Sequence, residues 1–217
     1  DALEALVYAA SERGDREAGA LLEKALDRLL AGPRWDRERG LFRADGESAL
    51  PANARRARLL WDAHALTREA RWREAAEGSS LFMLKSLYEP GVGAFSLSPR
   101  PAPPVFAADA NAQAVLALLR AAAFGVPGAA EAAEKALSFL QTRLYDPLLG
   151  LQHSSEGDGA SVCGLLSDAA WTALAFAAAS QATGFKPHRE FSDALLRFLF
   201  QELWERDGGG FLDRVTR

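Results

Sequence analysis

A short phrase occurs four times in this chain: an aromatic residue, an acid, a few variable residues, a glycine and then usually a phenylalanine. The copies begin at Trp35, Tyr88, Tyr145 and Trp204, so successive starts lie 53, 57 and 59 residues apart. A period in this range indicates a chain built from repeated supersecondary units. The chain is therefore predicted to be a single domain of four α/α-hairpin units, with approximate bounds 1–45, 46–100, 101–157 and 158–217.

Each unit is predicted to contain two helices followed by the repeated phrase. In the fourth unit, residues 167–183 are dense in alanine, leucine and phenylalanine, and Gly184 then ends the helix. Pro187 fits the first turn of a second helix, in which apolar residues recur at helical spacing. The glycine of the phrase, Gly40 in the first unit, is expected to adopt a positive φ angle in a tight turn.

The two helices of a unit differ in polarity, and this difference predicts where each one lies. Residues 112–119 and 173–179 are apolar nearly all round, which is typical of a helix enclosed by protein. Second helices carry charge on one side, for example Glu131, Glu134 and Lys135. The predicted fold is all-α: an incomplete α/α toroid of four helical hairpins, with short glycine- and aromatic-containing loops on one rim. A superhelical stack of hairpins is the alternative.

Composition excludes several function classes. A net charge of −4 without a basic block argues against a nucleic-acid partner. No apolar run is long enough to span a membrane. The single Cys163 permits neither an internal disulfide nor a cysteine-based metal cluster, and the sequence predicts no metal and no cofactor. Cytoplasmic localisation is expected, although a removed N-terminal segment stays open. Four hairpins would leave an open arc with apolar edges, which predicts a longer protein or a protein partner.

Several segments resemble a known family. These are Asp109-Ala110-Asn111 at a helix start, Gly164 to Ala170, the Ala182-Thr183-Gly184 turn and the loop from Trp204 to Asp213. Together they resemble the C-terminal helical domain of the thioredoxin-domain-containing, spermatogenesis-associated family, whose toroid is related to six-hairpin glycosidases and N-acylglucosamine 2-epimerases. Ala110 stands where that family has tryptophan. The resemblance implies a toroid fold and a thioredoxin-like module as partner, and neither that module nor the family's cysteine motif occurs in this chain.

Asp109 and Asp168 are candidate catalytic residues because they occupy equivalent starts of two predicted inner helices. Two carboxylates facing one pocket are what glycoside hydrolysis requires, one as acid and one as base or nucleophile. The alternative is that each aspartate caps its own helix by accepting from a backbone N–H two or three residues on. The recurrence of the same acid at equivalent positions favours the capping interpretation.

Further candidates lie on the predicted inner helices. The related epimerases use paired histidines on inner helices, and His64 is the only histidine placed there, so a two-histidine mechanism is not expected. Aromatic faces stack on sugar rings, and amide or guanidinium groups donate to hydroxyls, which makes polar and aromatic inner-helix residues candidates for carbohydrate binding. The ligand-binding candidates are Arg55, Arg56, Trp61, Asn111, Gln113 and Trp171.

Two classes of function remain. The first is a non-catalytic or degenerate toroid that acts as a scaffold or binding module, possibly accessory to a thioredoxin-like module. The alternative is a carbohydrate-active enzyme, glycosidase- or epimerase-like, with its site in the toroid cavity. The absence of a histidine pair and the capping interpretation of the aspartates favour the scaffold, and whether the chain is an enzyme stays open.

Overall fold

The computed structural model describes residues 2–43, 49–99, 103–155, 162–206 and 208–215. Within them the chain forms eight α-helices, and three of these continue into a π-helical turn. The helices are α1 Ala2–Glu12, α2 Arg16–Ala31, α3 Ala49–Thr67, α4 Ala70–Phe82, α5 Ala108–Ala123, α6 Ala129–Phe139, α7 Leu166–Thr183 and α8 Lys186–Phe198. The π-helical turns are Met83–Leu87, Leu140–Leu144 and Leu199–Leu203. The predicted all-α hairpin architecture is confirmed.

The helices form two layers. The inner helices follow one another around an arc, with α1 packed on α3, α3 on α5 and α5 on α7, and each is paired with the outer helix that comes next in the chain. Helices α3 and α5 are buried over most of their length, whereas α1 has no buried residue. Helix α3 includes Pro51, which fits within the first turn because a backbone N–H there has no helical partner.

The four copies of the phrase fold as short antiparallel hairpins. Their strands are β1 Trp35–Asp36 with β2 Leu41–Phe42, β3 Tyr88–Glu89 with β4 Ala94–Phe95, β6 Tyr145–Asp146 with β7 Gly150–Leu151, and β9 Trp204–Glu205 with β10 Gly210–Phe211. The predicted positive φ is present at Gly40, Gly93, Gly150 and Gly209. Every hairpin follows an outer helix, so all four lie at the edge where outer helices end and inner helices begin, hereafter the loop rim.

Two asparagines hold the first two hairpins against the inner helices that follow them. Asn53 accepts from the Phe42 N–H (2.8 Å) and donates to the Phe42 carbonyl (3.0 Å), and Asn111 makes the same pair of bonds to Phe95 at the same distances. Asn111 is fully buried and also donates to the Ala107 carbonyl. Its assignment to ligand binding is therefore wrong, because the loop backbone already occupies its amide.

The segment after the third hairpin positions a histidine between two inner helices. Strand β8 (Ser154–Ser155) pairs with β5 (Phe106–Ala107), which leads directly into α5. The carbonyl of His153 accepts from the Ala108 N–H at 2.8 Å, and the His153 N–H donates to the Val162 carbonyl at 2.7 Å. His153 is thus fixed by backbone pairing at the loop rim, between the start of α5 and the segment that precedes α7.

None of the helices in the described ranges is both long enough and apolar enough to cross a bilayer.

Candidate active site

The C-terminal half of α3 contains two of the sequence candidates, and both belong to the core. Trp61 is fully buried, donates from Nε1 to Ser80 Oγ at 3.1 Å and stacks on Phe124 at a centroid distance of 5.0 Å. His64 is also buried, and its Nδ1 lies 3.0 Å from the Glu69 carbonyl oxygen. This packing gives no support to the catalytic role predicted for His64 or to the ligand-binding role predicted for Trp61, because both side chains belong to the core.

The capping interpretation of the two aspartates is also wrong. The N-cap residues of α5 and α7 are Ala107 and Leu165, and neither cap involves a side-chain hydrogen bond. Asp109 accepts from the N–H of the next residue, Ala110, at 2.7 Å, and not, among the described residues, from an N–H two or three residues on. Asp168 turns away from its own helix, since its carboxylate accepts instead from the backbone N–H of Asp109 on α5. The two acids therefore meet across the boundary between α5 and α7.

The structure completes this pair with His153. Its Nδ1 lies 3.1 Å from both carboxylate oxygens of Asp168, which is fully buried. One nitrogen or oxygen atom from each of Asp109, His153 and Asp168 lies within 4.8 Å of the others. These three residues, hereafter the acid–histidine cluster, bring two of the sequence candidates together with one residue that was not a candidate.

The electrostatics of the cluster centre on Asp168. Burial raises the pKa of its carboxyl from 3.8 to about 6, and the nearby charge of Asp109 adds to the increase. The charge and hydrogen bond of His153, together with the Asp109 N–H, act in the opposite direction and lower that pKa. Burial dominates, so the pKa of the Asp168 carboxyl is about 6 even though the carboxyl contacts the imidazole of His153.

The contact with Asp168 assigns the tautomer of the histidine. An ionised carboxylate only accepts hydrogen bonds, so the proton of a neutral His153 resides on Nδ1 and the lone pair on Nε2. The imidazole side chain is 41% exposed, whereas the side chain of Asp168 is 0% exposed. A ligand at the rim therefore meets His153 and the partly exposed Asp109, and Asp168 acts behind them. The exposed Nε2 lone pair in this arrangement can accept and return a proton.

The same three groups are close enough to share a divalent cation. The hydrogen bond from His153 to Asp168 and a metal bond at the same Nδ1 atom exclude each other, because a nitrogen that donates a hydrogen bond has no lone pair for a metal. The sequence predicts no metal, and a chelator distinguishes the two possibilities.

The remaining candidates lie on the inner helices below the rim. The Nε of Arg55 on α3 donates to Gln113 Oε1 on α5 at 2.6 Å, so these two candidates are brought together. Trp171 on α7 is half-buried, and the guanidinium carbon of Arg58 lies 5.6 Å from its ring centroid. Arg58 also pairs with Glu4 on α1 and therefore links three inner helices. Arg58 was not a sequence candidate.

His153 was missed because the sequence places it only in a loop. The spacing of the phrase gave no signal, because the glycine follows the aromatic residue by five positions in all four copies. Only the strand register shows that the third hairpin is one residue shorter: Tyr145 pairs with Leu151, but Tyr88 pairs with Phe95. This register puts His153 at the position of Leu97, whose carbonyl accepts from the start of α3 at Leu50.

Comparisons with known proteins give the fold. No family model matches the sequence, and no curated protein matches it. Among solved structures, the chain is similar to a sugar epimerase from a ruminal bacterium (TM-score 0.78, 14% identity, 98% of this chain and 61% of that one). It is also similar to cellobiose 2-epimerase from Spirochaeta thermophila, with a TM-score of 0.73, 19% identity and coverage of 99% of this chain and 60% of that one. A D-mannose isomerase matches with a TM-score of 0.72, 16% identity and coverage of 99% of this chain and 60% of that one.

These similar structures, which also include α-1,6-mannanases, are toroids of the six-hairpin glycosidase type. The chain spans about three fifths of the length of the structures it matches. At these identities the likeness shows the fold alone. The resemblance to the thioredoxin-domain-containing, spermatogenesis-associated family is not supported by any of these matches.

Proposed function

We propose that the chain carries a carbohydrate-active site in which the acid–histidine cluster moves a proton between neighbouring carbons of an open-chain sugar. The observation that carries the proposal is the contact of His153 Nδ1 with the buried carboxylate of Asp168. The sequence favoured a scaffold because it predicts no histidine pair on the inner helices and because the aspartates were assigned to helix capping. Since neither aspartate makes the predicted N-cap hydrogen bond, the second of these reasons no longer holds.

The geometry favours proton transfer over glycoside hydrolysis. Hydrolysis requires two carboxyl groups that both reach the glycosidic bond or the attacking water. Asp168 is fully buried and its oxygens are occupied by His153 and by the Asp109 N–H, which leaves Asp109 as the one carboxylate of the cluster open to a ligand. One matched mannanase structure is an inactive variant with two adjacent aspartates replaced, and this sequence contains no adjacent aspartate pair.

In the proposed reaction, Nε2 of His153 removes the proton from the carbon next to the sugar carbonyl. The electron pair of the broken C–H bond forms a carbon–carbon double bond, and the carbonyl oxygen becomes the oxyanion of an enediolate. Asp109 carries a proton between the two neighbouring oxygens, and His153 returns its own proton to the former carbonyl carbon. The result is the interconversion of an aldose and a ketose. Asp168 holds the imidazole in the required tautomer and acts as a positioning residue.

Asp213 provides a matched control for this proposal. The Leu166 N–H donates to the Asp213 carbonyl as the Ala108 N–H donates to that of His153, so the two residues occupy equivalent places after their hairpins. The experiment follows conversion of mannose, glucose, fructose and cellobiose by NMR with the wild type, His153→Gln and Asp213→Asn. We expect His153→Gln to lower turnover by about 10²–10⁴-fold and Asp213→Asn to leave it unchanged. Equal turnover by a folded His153→Gln variant would contradict the proposal.

A second, compatible proposal concerns the edges of the arc. Helix α1 has no buried residue, Tyr8 on it is 57% exposed, and Leu174 on α7 is 46% exposed. Apolar exposure of this kind supports a protein partner or a further toroid segment that covers these faces. Light scattering combined with an apolar dye tests it. A monomer that binds no dye would contradict the second proposal and leave the first untouched.

A further inference from the structure

Charge is distributed unequally along the loop rim. Helices α5 and α7 carry Asp109 and Asp168 in their first turns, whereas α3 has Pro51 at the equivalent place and no acid in its first turn. The next turn of α3 adds Arg55 and Arg56. These two guanidinium groups therefore lie one turn after the N-terminal turn of α3. One part of the rim is cationic, and the neighbouring part holds the acid–histidine cluster.

Arg55 is held in place by a buried residue. Its side chain is exposed, but its Nε donates to Oε1 of Gln113, which is only 2% exposed. Because Oε1 must face the arginine, the orientation of the amide is fixed, and Gln113 Nε2 is buried without a hydrogen-bond partner among the described residues. A buried unsatisfied donor and an ordered surface arginine both disfavour folding, and such local penalties are characteristic of functional sites.

Arg55 and Arg56 line one cavity of about 440 Å³ at the rim. The other lining residues are apolar: Leu3, Leu29, Pro51, Ala52 and Leu59. Among the described residues, the lining of this arginine cavity includes no acid; Glu4 on α1 is paired with Arg58, and its charge also acts on Arg55. Arg55 therefore lines a cavity whose described walls are otherwise apolar or cationic. A guanidinium in such a place binds planar or tetrahedral anions through parallel N–H bonds.

We propose that the arginine cavity binds the anionic substituent of the sugar, a phosphate or a carboxylate, with Arg55 as the principal ligand-binding residue. The inference rests on the proposed function and adds the substrate class to it. Gln113 acts as a positioning residue that presents the guanidinium.

One substrate can reach both parts of the rim. Arg55 contacts Gln113, which lies one helical turn from Asp109 on the same face of α5. One turn is about 5.4 Å along the helix axis, so this hydrogen bond holds Arg55 about one turn from the acid that α5 contributes to the acid–histidine cluster. An open-chain sugar with a terminal anion spans this distance. Its anion would lie at Arg55 and its carbonyl at His153, and the unequal charge of the rim would disfavour the reverse orientation.

Calorimetric titration tests the inference without depending on turnover. The wild type is titrated with inorganic phosphate, glucose 6-phosphate, glucuronate and glucose. We expect at least one anionic sugar to bind about tenfold or more tightly than glucose. Arg55→Gln should abolish that preference, and Arg55→Lys should retain part of it. Arg197→Gln on α8, which removes an exposed arginine of the outer layer, is the control for net charge and should keep the full preference.

The outcomes separate the two proposals. Tighter binding of glucose 6-phosphate assigns the cavity to phosphate, and tighter binding of glucuronate assigns it to carboxylate. Equal affinity for glucose and both anionic sugars, or a preference that survives in Arg55→Gln, would overturn the inference. If the preference is present but His153→Gln turns over sugar as fast as the wild type, the anion site stands and the proposed reaction fails.

Discussion

Nδ1 of His153 lies 3.1 Å from each carboxylate oxygen of Asp168, although 14 residues separate them in the chain and the aspartate is fully buried. The contact links the arm of the third hairpin to the first turn of α7. It places a titratable imidazole at the rim and a positioning carboxylate behind it. The predictions below test the chemistry of this contact and the packing that supports it.

The activity of the site should depend on the ionisation of Asp168. Its pKa is raised to about 6, so below that pH its proton can be donated to Nδ1, which moves the imidazole proton to Nε2 and removes the base. We expect kcat/KM to rise as pH increases through about 6. A profile from acid to alkaline pH checks this, and Asp168→Asn should abolish the step. A profile that is flat across this range in the wild type would contradict the assignment.

The same pKa predicts how stability changes with pH. A carboxyl whose pKa is higher in the folded state favours folding at low pH, and this contribution is lost as pH rises through about 6. From pH 5 to pH 8, the unfolding free energy of the wild type should therefore fall by about 1 kcal/mol more than that of Asp168→Asn, which lacks the titrating carboxyl. Urea unfolding at the two pH values measures it. Asp213→Asn, at an exposed aspartate, is the control and should show no such difference.

Chelation should leave the activity intact. If Nδ1 of His153 donates to Asp168, no metal is bound at that atom. Dialysis against EDTA followed by assay in metal-free buffer should retain full turnover. Loss of turnover that added Mg²⁺, Mn²⁺ or Zn²⁺ restores would show that the three side chains of the cluster bind a cation instead.

The first hairpin packs on α4 through a contact between two glycines. A Cβ on Gly78 would lie 2.8 Å from the carbonyl oxygen of Gly40 and 2.9 Å from its Cα. Because these are backbone atoms, the hairpin would have to move, and we expect Gly78→Ala to destabilise the fold by about 2–3 kcal/mol. Thermal or urea unfolding measures the change. Gly91→Ala, where a Cβ would meet nothing within 4 Å, should be nearly neutral.

Asn111 should contribute to stability and not to ligand affinity. Its replacement by alanine removes three buried hydrogen bonds and leaves the N–H and carbonyl of Phe95 unpaired. We expect Asn111→Ala to lose about 2–4 kcal/mol of unfolding free energy. Gln201→Ala, at an exposed position, is the control. An Asn111→Ala variant of normal stability with impaired sugar binding would restore the ligand-binding interpretation.

The sequence predicted the repeat, the hairpins and the conformation of the turn glycines because these depend on local periodicity. Burial of α5 and the positive φ of Gly40 follow from residues that lie close together in the chain. Asp109 and Asp168 were located correctly at helix starts, but their role was misassigned. An acid at a helix start is expected to cap its own helix. The carboxylate of Asp168 on α7 instead accepts from the backbone N–H of Asp109 on the neighbouring helix α5.

The other errors have the same origin. Asn111 and Trp61 are polar-tipped residues on inner helices, and the sequence does not show which side of a buried helix faces the cavity. Both point into the protein, where Phe95 and Ser80 supply their hydrogen-bond partners. His153 was missed because its position depends on backbone pairing with residues 106–108 and 162. These residues are distant from His153 in the sequence, and local periodicity does not predict such pairing.

The most direct test of the central claim is hydrogen exchange between solvent and sugar. The wild type is incubated with the aldose that it converts in D₂O at pH 8, and deuterium at the carbons next to the carbonyl is measured by NMR. If His153 removes and returns a carbon-bound proton, deuterium should enter at these carbons, and His153→Gln should incorporate about 10²–10⁴-fold more slowly. Deuterium incorporation at the wild-type rate by a folded His153→Gln variant would contradict the account.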